Sequence, residues 1–268
     1  METSTHTDNI IEAARSLKLG GVKGCIKDLQ ETAIKENWTY EHFLAEVLQH
    51  ELKHREESKK KGLVRKAHFP TLKYLEDLER NELPEDMALA LPELESLNFI
   101  KEGRNVILYG NPGTGKTHCA IGLAIKACLA GYNVLYTSIP HLLTNIKECE
   151  SEKKLGKLQK KFEKYDLVVC DEFGYKSFDK EGAEALFNPI SLRAGLKSTI
   201  ITTNLSFDRW DEIFTDKIIA SAMVDRLTFQ SYIINMTGDS YRLKAPWGHI
   251  GSGGKIRTYD LPGMNRPL

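Results

Sequence analysis

The sequence predicts an α/β protein in which a five-stranded parallel sheet is wound between helices, with a small all-helical segment in front. Three observations carry that prediction. From Phe99 onward, short apolar runs rich in β-branched residues alternate with amphipathic stretches at helical spacing. One of those runs, Val106-Ile107-Leu108-Tyr109, passes directly into Gly110-Asn111-Pro112-Gly113-Thr114-Gly115-Lys116-Thr117, the full G-x-x-x-x-G-K-[ST] spacing of a phosphate-binding loop. Before Pro70, by contrast, the chain reads as helices.

Composition sets the outer bounds. The 268 residues suffice for one large core and a small accessory domain, and 37 Lys plus Arg balance 37 Asp plus Glu, so net charge alone announces no partner. The five cysteines show no C-x-x-C pairing, and three lie in apolar patterns, which points to a reduced cytosol. The N-terminus lacks a basic segment followed by an apolar run, and no stretch reaches the length of a membrane span. A soluble cytoplasmic protein with no membrane partner is expected.

Taken in order, 10–19 and 24–36 read as short amphipathic helices, and Thr39 is a candidate cap for a third. On that third helix Phe43, Leu44, Val47, Leu48 and Leu52 recur at helical spacing. The pattern then turns basic, with Lys59, Lys60, Lys61, Arg65 and Lys66 clustered within a few turns. This is a candidate DNA-binding stripe; the alternative is a solvated helix face. Pro70, Pro84 and Pro92 punctuate a stretch read as a connector. The expected layout is a helical domain at 1–70, a connector at 71–98, the nucleotide-binding core at 99–246 and a disordered tail at 247–268. Within the core, strands are expected at 106–108, 134–137, 167–170, Ser198–Thr203 and 232–236, and helices at 117–130, 141–162, 180–194 and 215–227.

The chemistry follows from this alternation. Glycines let the loop backbone curl its N–H groups around phosphate, Lys116 brings a positive charge to the β- and γ-phosphates, and the following helix adds its N-terminal dipole. ATP is the expected cofactor, held by Gly110, Asn111, Pro112, Gly113, Thr114, Gly115, Lys116, Thr117 and His118. A second apolar run, Leu167-Val168-Val169-Cys170, ends in Asp171 and Glu172. In a parallel sheet that end borders the ligand, so Thr117 and Asp171 are candidate Mg²⁺ ligands and Glu172 the candidate base for the attacking water. Two solvated acids capping a strand would look the same.

Asn204 closes the run Ile200-Ile201-Thr202-Thr203, where it could orient the lytic water or simply serve a turn. Arg226 sits at a helix end, where arginine ordinarily complements the dipole. A second reading makes it a finger reaching the γ-phosphate of a neighbouring subunit, with Asp225 holding it beforehand and Arg193 a weaker competitor.

The segments GNPGTGKTH (110–118), DLVVCDEFGY (166–175), STIITTNLSFDRW (198–210), Ala222 to Leu227 and GDSYRLK (238–244) together resemble the IstB family. Phe69-Pro70-Thr71-Leu72-Lys73 and Leu75-Glu76-Asp77 extend the likeness, which runs from about residue 10 to 244. That family comprises AAA+ ATP-binding helpers of insertion-sequence transposases and is similar to the helicase loader DnaC. The resemblance implies an AAA+ core with Asn204 as sensor and Arg226 as intersubunit finger. It also implies a DNA-contacting helical domain and assembly into a homo-oligomer.

Departures from the family pattern are local. Phe173 replaces a leucine, Asn188 to Lys197 lacks the family's run of basic residues, and Pro189 is expected to kink its helix at a cost of about 3 kcal/mol. Little chain follows Arg242, so a helical lid with its arginine is not expected. The resulting reading is an ATP-hydrolysing, double-stranded-DNA-binding helper of a transposase. The rivals are a loader of a replicative helicase, a small-molecule kinase, which would want a substrate lid, and a DNA-binding module with a merely structural nucleotide.

Overall fold

The computed structural model describes residues 2–175, 178, 180–214 and 216–241, so the tail expected at 247–268 lies outside the described residues. Five parallel strands, β1 Val106–Tyr109, β2 Val134–Ser138, β3 Leu167–Phe173, β4 Ser198–Thr203 and β5 Tyr232–Asn235, form one sheet in the order β2-β3-β4-β1-β5. The strands fall where the apolar runs predict them. In β1, β3 and β4 nearly every residue is buried, because helices cover both faces of the sheet. On one face α6 (Lys116–Leu129) packs with Cys119, Ala120 and Leu123. On the other lie α7 (Ile139–Ser151), α9 (Lys180–Ser191) and α10 (Lys217–Thr228).

One helix expected at 141–162 is two, α7 and α8 (Leu155–Glu163). Lys153 takes a left-handed φ of 55° there, and the Lys154 N–H turns back to the Cys149 carbonyl, ending α7 without the glycine that usually marks such a stop. Pro189 does sit inside α9, which ends two residues later at Ser191.

Three helices precede the sheet: α1 (Glu2–Ser16), α2 (Gly20–Glu36) and α3 (Tyr40–Lys66), with the Thr39 hydroxyl accepting from the His42 N–H as the predicted cap. Their shared core is small, made of Ala14, Val22, Ile26, Leu29 and Val47. Burial splits the apolar row expected on α3. Val47 is inside, whereas Leu44, Leu48 and Leu52 are more than half exposed. A polar clamp supplements this core. No side chain caps the start of α2 locally, and the buried Glu51 of α3 accepts the Gly21 and Val22 N–H groups at 2.8 and 3.2 Å instead. Gly21 permits the approach, since a Cβ there would stand 2.8 Å from the Glu51 Cα. Burial opposes ionisation of Glu51, but the hydrogen bonds from Arg55, Val22 and Gly21 outweigh it and hold its carboxyl below the ordinary value.

Further along, α3 joins the other core: Leu63 and Val64 pack against the sheet's helical layer and Ala67, just past its end, is fully buried. The stretch 71–98 is itself folded. It carries α4 (Glu85–Glu95) and leads into α5 (Asn98–Lys101), and it gives Leu75, Met87, Leu91 and Leu94 to the same cluster as β1. Pro92 lies inside α4 on its exposed side and does not end the helix. Ion pairs from Glu95 to Arg80 and Lys126, at 2.6 and 2.7 Å, fasten this stretch to α6.

Candidate nucleotide and metal site

The sheet order brings the predicted residues together. β4 lies between β1 and β3, with Thr203 paired to Tyr109 on one side and Phe173 on the other. Three chain segments therefore leave the sheet side by side at its carboxyl end: the loop after β1, the acids of β3, and Asn204 after β4. Gly110 opens the loop, its N–H donating to the Thr203 carbonyl and its φ at 141°. A Cβ there would lie 2.5 Å from the Met236 carbonyl carbon, so only glycine lets the loop leave beside β5. No side chain caps the start of α6, which leaves its first N–H groups and dipole to the loop.

Lys116 is only 7% exposed, and its ammonium donates to the Gly110 and Asn111 carbonyls at 2.8 and 2.5 Å. The Thr117 hydroxyl donates to Asp171 Oδ1 at 3.1 Å. His118 points away from the loop. Its Nε2 meets the Tyr74 carbonyl at 2.8 Å, and because a carbonyl only accepts, the imidazole donates there and pins the 71–98 stretch.

The acid pair sits on an irregularity of the sheet. Between Cys170 and Phe173 the register with β4 shifts, and Glu172 adopts a left-handed φ of 61°. For a non-glycine residue this conformation costs about 1–2 kcal/mol. The bulge separates the two carboxylates: Asp171 is buried at 4% exposure, while Glu172 is turned out to solvent. Thr202 stabilises the bulge by accepting the Glu172 N–H at 3.1 Å and donating to Asp171 Oδ1. Asp171 Oδ2 takes the Tyr136 hydroxyl at 2.5 Å. Burial first, then this bond, raises the Tyr136 phenol above its ordinary pKa and keeps it a donor. Phe173 stacks on Trp210 with centroids 4.6 Å apart, so the aromatic that replaces leucine is absorbed by another aromatic.

Sequence reasoning missed Thr202 and Tyr136. The only signals were a hydroxyl pair closing an apolar strand and a tyrosine inside another.

The two arginines separate cleanly. Arg193, weighed as a finger, is 1% exposed and donates to the carbonyls of Phe162, Tyr165 and Ser198 at 2.7, 2.9 and 2.8 Å, with a longer contact to Asp166. It is a structural strut and cannot reach another subunit. Burial pushes its pKa down to about 10, so it stays charged. Arg226 is exposed on α10, and the Phe187 ring, 4.8 Å from its guanidinium, is what supports it.

Of the basic residues on α3, Lys59, Arg65 and Lys66 are exposed, while Lys60 and Lys61 are partly covered. Lys60 is paired with Glu56 at 3.1 Å. At about 100° per residue, Lys60 falls on the side where Val64 and Ala67 enter the core, whereas Lys59, Arg65 and Lys66 share the outer side.

The donor set fits a nucleoside triphosphate with a divalent cation. The loop carries a buried ammonium and an uncapped helix start, and the next residue, Thr117, donates its hydroxyl to a buried carboxylate. No group of three or more His, Cys, Asp or Glu among the described residues forms a metal site by itself. A cation here would accordingly be shared with phosphate oxygens and water, as magnesium prefers.

Fold and site define a P-loop ATPase of the AAA+ class. The family of IstB-like ATP binding proteins matches residues 12–247, and the chain belongs to it. It is 33% identical over 228 residues to the insertion sequence IS21 putative ATP-binding protein of Pseudomonas aeruginosa, covering 85% of this chain and 86% of that one. It is 32% identical over 216 residues to the IS5376 putative ATP-binding protein of Geobacillus stearothermophilus, covering 81% and 86%. Among solved structures, DnaI aligns with TM-score 0.53 and 17% identity over 65% of this chain and 93% of that one. AMPPCP-bound DnaA from Aquifex aeolicus aligns with TM-score 0.53 and 20% identity over 66% of this chain; this chain spans about half of that one, 53%. These likenesses describe the fold. No helix among the described residues is long and apolar enough to cross a membrane.

Proposed function

We propose that this protein is a cytoplasmic, magnesium-dependent ATPase that binds double-stranded DNA as a homo-oligomer and assists a transposase in choosing target DNA. The observation that carries the chemistry is the strained bulge, which buries Asp171 against Thr117 and turns Glu172 outward at the end of the sheet where Asn204 also emerges. Magnesium would supply charge neutralisation between the phosphates. The residues do the rest. Lys116 and the start of α6 hold the β- and γ-phosphates, and the loop from Gly110 to His118 wraps them with backbone N–H groups. Thr117 and Asp171, joined by the hydrogen bond that the Thr117 hydroxyl donates, would hold the cation. Glu172 accepts a proton from the attacking water, and Asn204 orients that water. Arg226 of an adjacent copy adds its planar charge to the transition state. The outer face of α3, with Lys59, Arg65 and Lys66 and with Lys60 and Lys61 at its margins, meets DNA phosphates.

The transposase as partner rests on the names of the insertion-sequence relatives, three of which exceed 30% identity over more than four-fifths of this chain. The test is a pair of variants. Lys116→Ala is expected to lose tight ATP binding, and Glu172→Gln to keep binding while slowing turnover about 10²–10⁴-fold. Equal ATP affinity for Lys116→Ala and wild type overturns the phosphate-loop assignment. Pull-down with the cognate transposase, set against a replicative helicase, decides the partner.

A further inference from the structure

We infer that Tyr136 is the positioning residue of the metal-holding carboxylate: its hydroxyl fixes the rotation of Asp171 so that Oδ1 stays on Thr117. This inference rests on the proposed role of Asp171 toward magnesium. Tyr136 pairs across the sheet with Val169, two residues before Asp171, so all three lie on one face. A side chain as long as tyrosine spans that diagonal and delivers its hydroxyl to Oδ2. Oδ1 is already used twice, by Thr117 and Thr202. Tyr136 is therefore the donor that holds the other oxygen, and the terminal torsion of aspartate is otherwise soft and twofold.

The tyrosine is itself anchored at two further points. Its backbone N–H donates to the Ala67 carbonyl at the end of α3 at 2.8 Å, and its ring lies 6.1 Å from that of Phe69. β2 is an edge strand, and this bond to Ala67 fixes the strand where the hydroxyl has to be delivered. Groups that orient a metal's ligands change metal affinity or activity about 10–100-fold when removed.

Tyr136→Phe deletes the hydroxyl and keeps the ring, the Phe69 contact and the backbone bond. Manganese affinity of the ADP complex, followed by the loss of the free-ion paramagnetic resonance signal, is expected to fall about tenfold. ADP affinity in EDTA, read with a fluorescent analogue, is expected to stay at the wild-type value. Phe69→Leu, which loosens the ring but leaves the hydroxyl, is expected to keep wild-type manganese affinity. Unchanged manganese affinity in Tyr136→Phe, or an equal loss in Phe69→Leu, overturns the inference. Asp171→Asn separates the two layers. If it too leaves manganese affinity unchanged, the metal role of Asp171 has failed and takes this inference with it. If it weakens manganese while Tyr136→Phe does not, only the inference falls.

Discussion

The helical N-terminal region and the sheet region solve the same problem with different means. The sheet buries whole strands between helices and can hold a polar cluster such as Thr117, Asp171, Thr202 and Tyr136 inside apolar walls. Among the described residues, the three N-terminal helices share five buried apolar side chains and lean on one carboxylate, Glu51, to join α2 to α3. Both regions close contacts across some thirty residues, Gly21 to Glu51 and Asp171 to Thr202, so what separates them is the depth of apolar packing around those contacts. The catalytic candidates all sit in the sheet region and the DNA candidates on α3, the helix that leaves the N-terminal one.

Four experiments break or sharpen that contrast. Arg226→Ala is expected to leave ATP binding by single subunits intact and cut hydrolysis about 10³-fold. Mixing it with the Glu172→Gln variant is expected to restore turnover at mixed interfaces, and failure to do so removes the in-trans role.

Arg193→Met leaves three backbone carbonyls without their donor and is expected to destabilise the sheet region by about 3–5 kcal/mol, as seen by urea melts with a near-ultraviolet probe. The helical signal of the N-terminal region should persist to higher denaturant. A single coincident transition at wild-type midpoint would show that the strut carries little.

Replacing Lys59, Arg65 and Lys66 by glutamate is expected to weaken DNA binding and to flatten its log–log salt dependence by about 0.9 for each phosphate no longer neutralised, with ATP affinity unchanged. The same replacement at the Glu56-paired Lys60 should do less. Equal slopes for wild type and the triple variant make this face merely solvated.

The smallest effect concerns the clamp. Glu51→Ala is expected to cost about 1–2 kcal/mol, confined to α1 to α3, by hydrogen exchange of the α2 amides. Because the folded carboxyl lies below its unfolded value of about 4.3, this stabilisation is complete above that pH and disappears as pH falls through the folded value. α2 amides whose protection, corrected for the intrinsic pH dependence of exchange, stays the same from pH 6 to well below the unfolded value of about 4.3 would contradict it.

Much of this was legible in the sequence, for a physical reason. A phosphate loop and an acid pair are chemistry written in consecutive residues, and apolar strands buried on both faces announce themselves, so the five strands, Lys116, Thr117, Asp171 and Glu172 could be placed in advance. Tyr136 and Thr202 could not, because their role depends on the register of β2 and β4 against β3. Arg193 misled for the same reason: its carbonyl partners are brought to it by β3 and β4. Nor could periodicity divide the basic residues of α3. Only the packing of Val64 and Ala67 shows which way Lys60 turns.

α3 runs unbroken for 27 residues, about 40 Å, with one end in the small helical core and the other against the edge of the sheet. Mechanically it is a beam clamped in two unlike supports, one yielding and one stiff. A load taken up along the beam is carried to Ala67 and the strand beneath it, where the Ala67 carbonyl accepts the Tyr136 N–H. Gly62, where an added Cβ would meet no neighbouring atom, is the residue of weakest helix preference along that path.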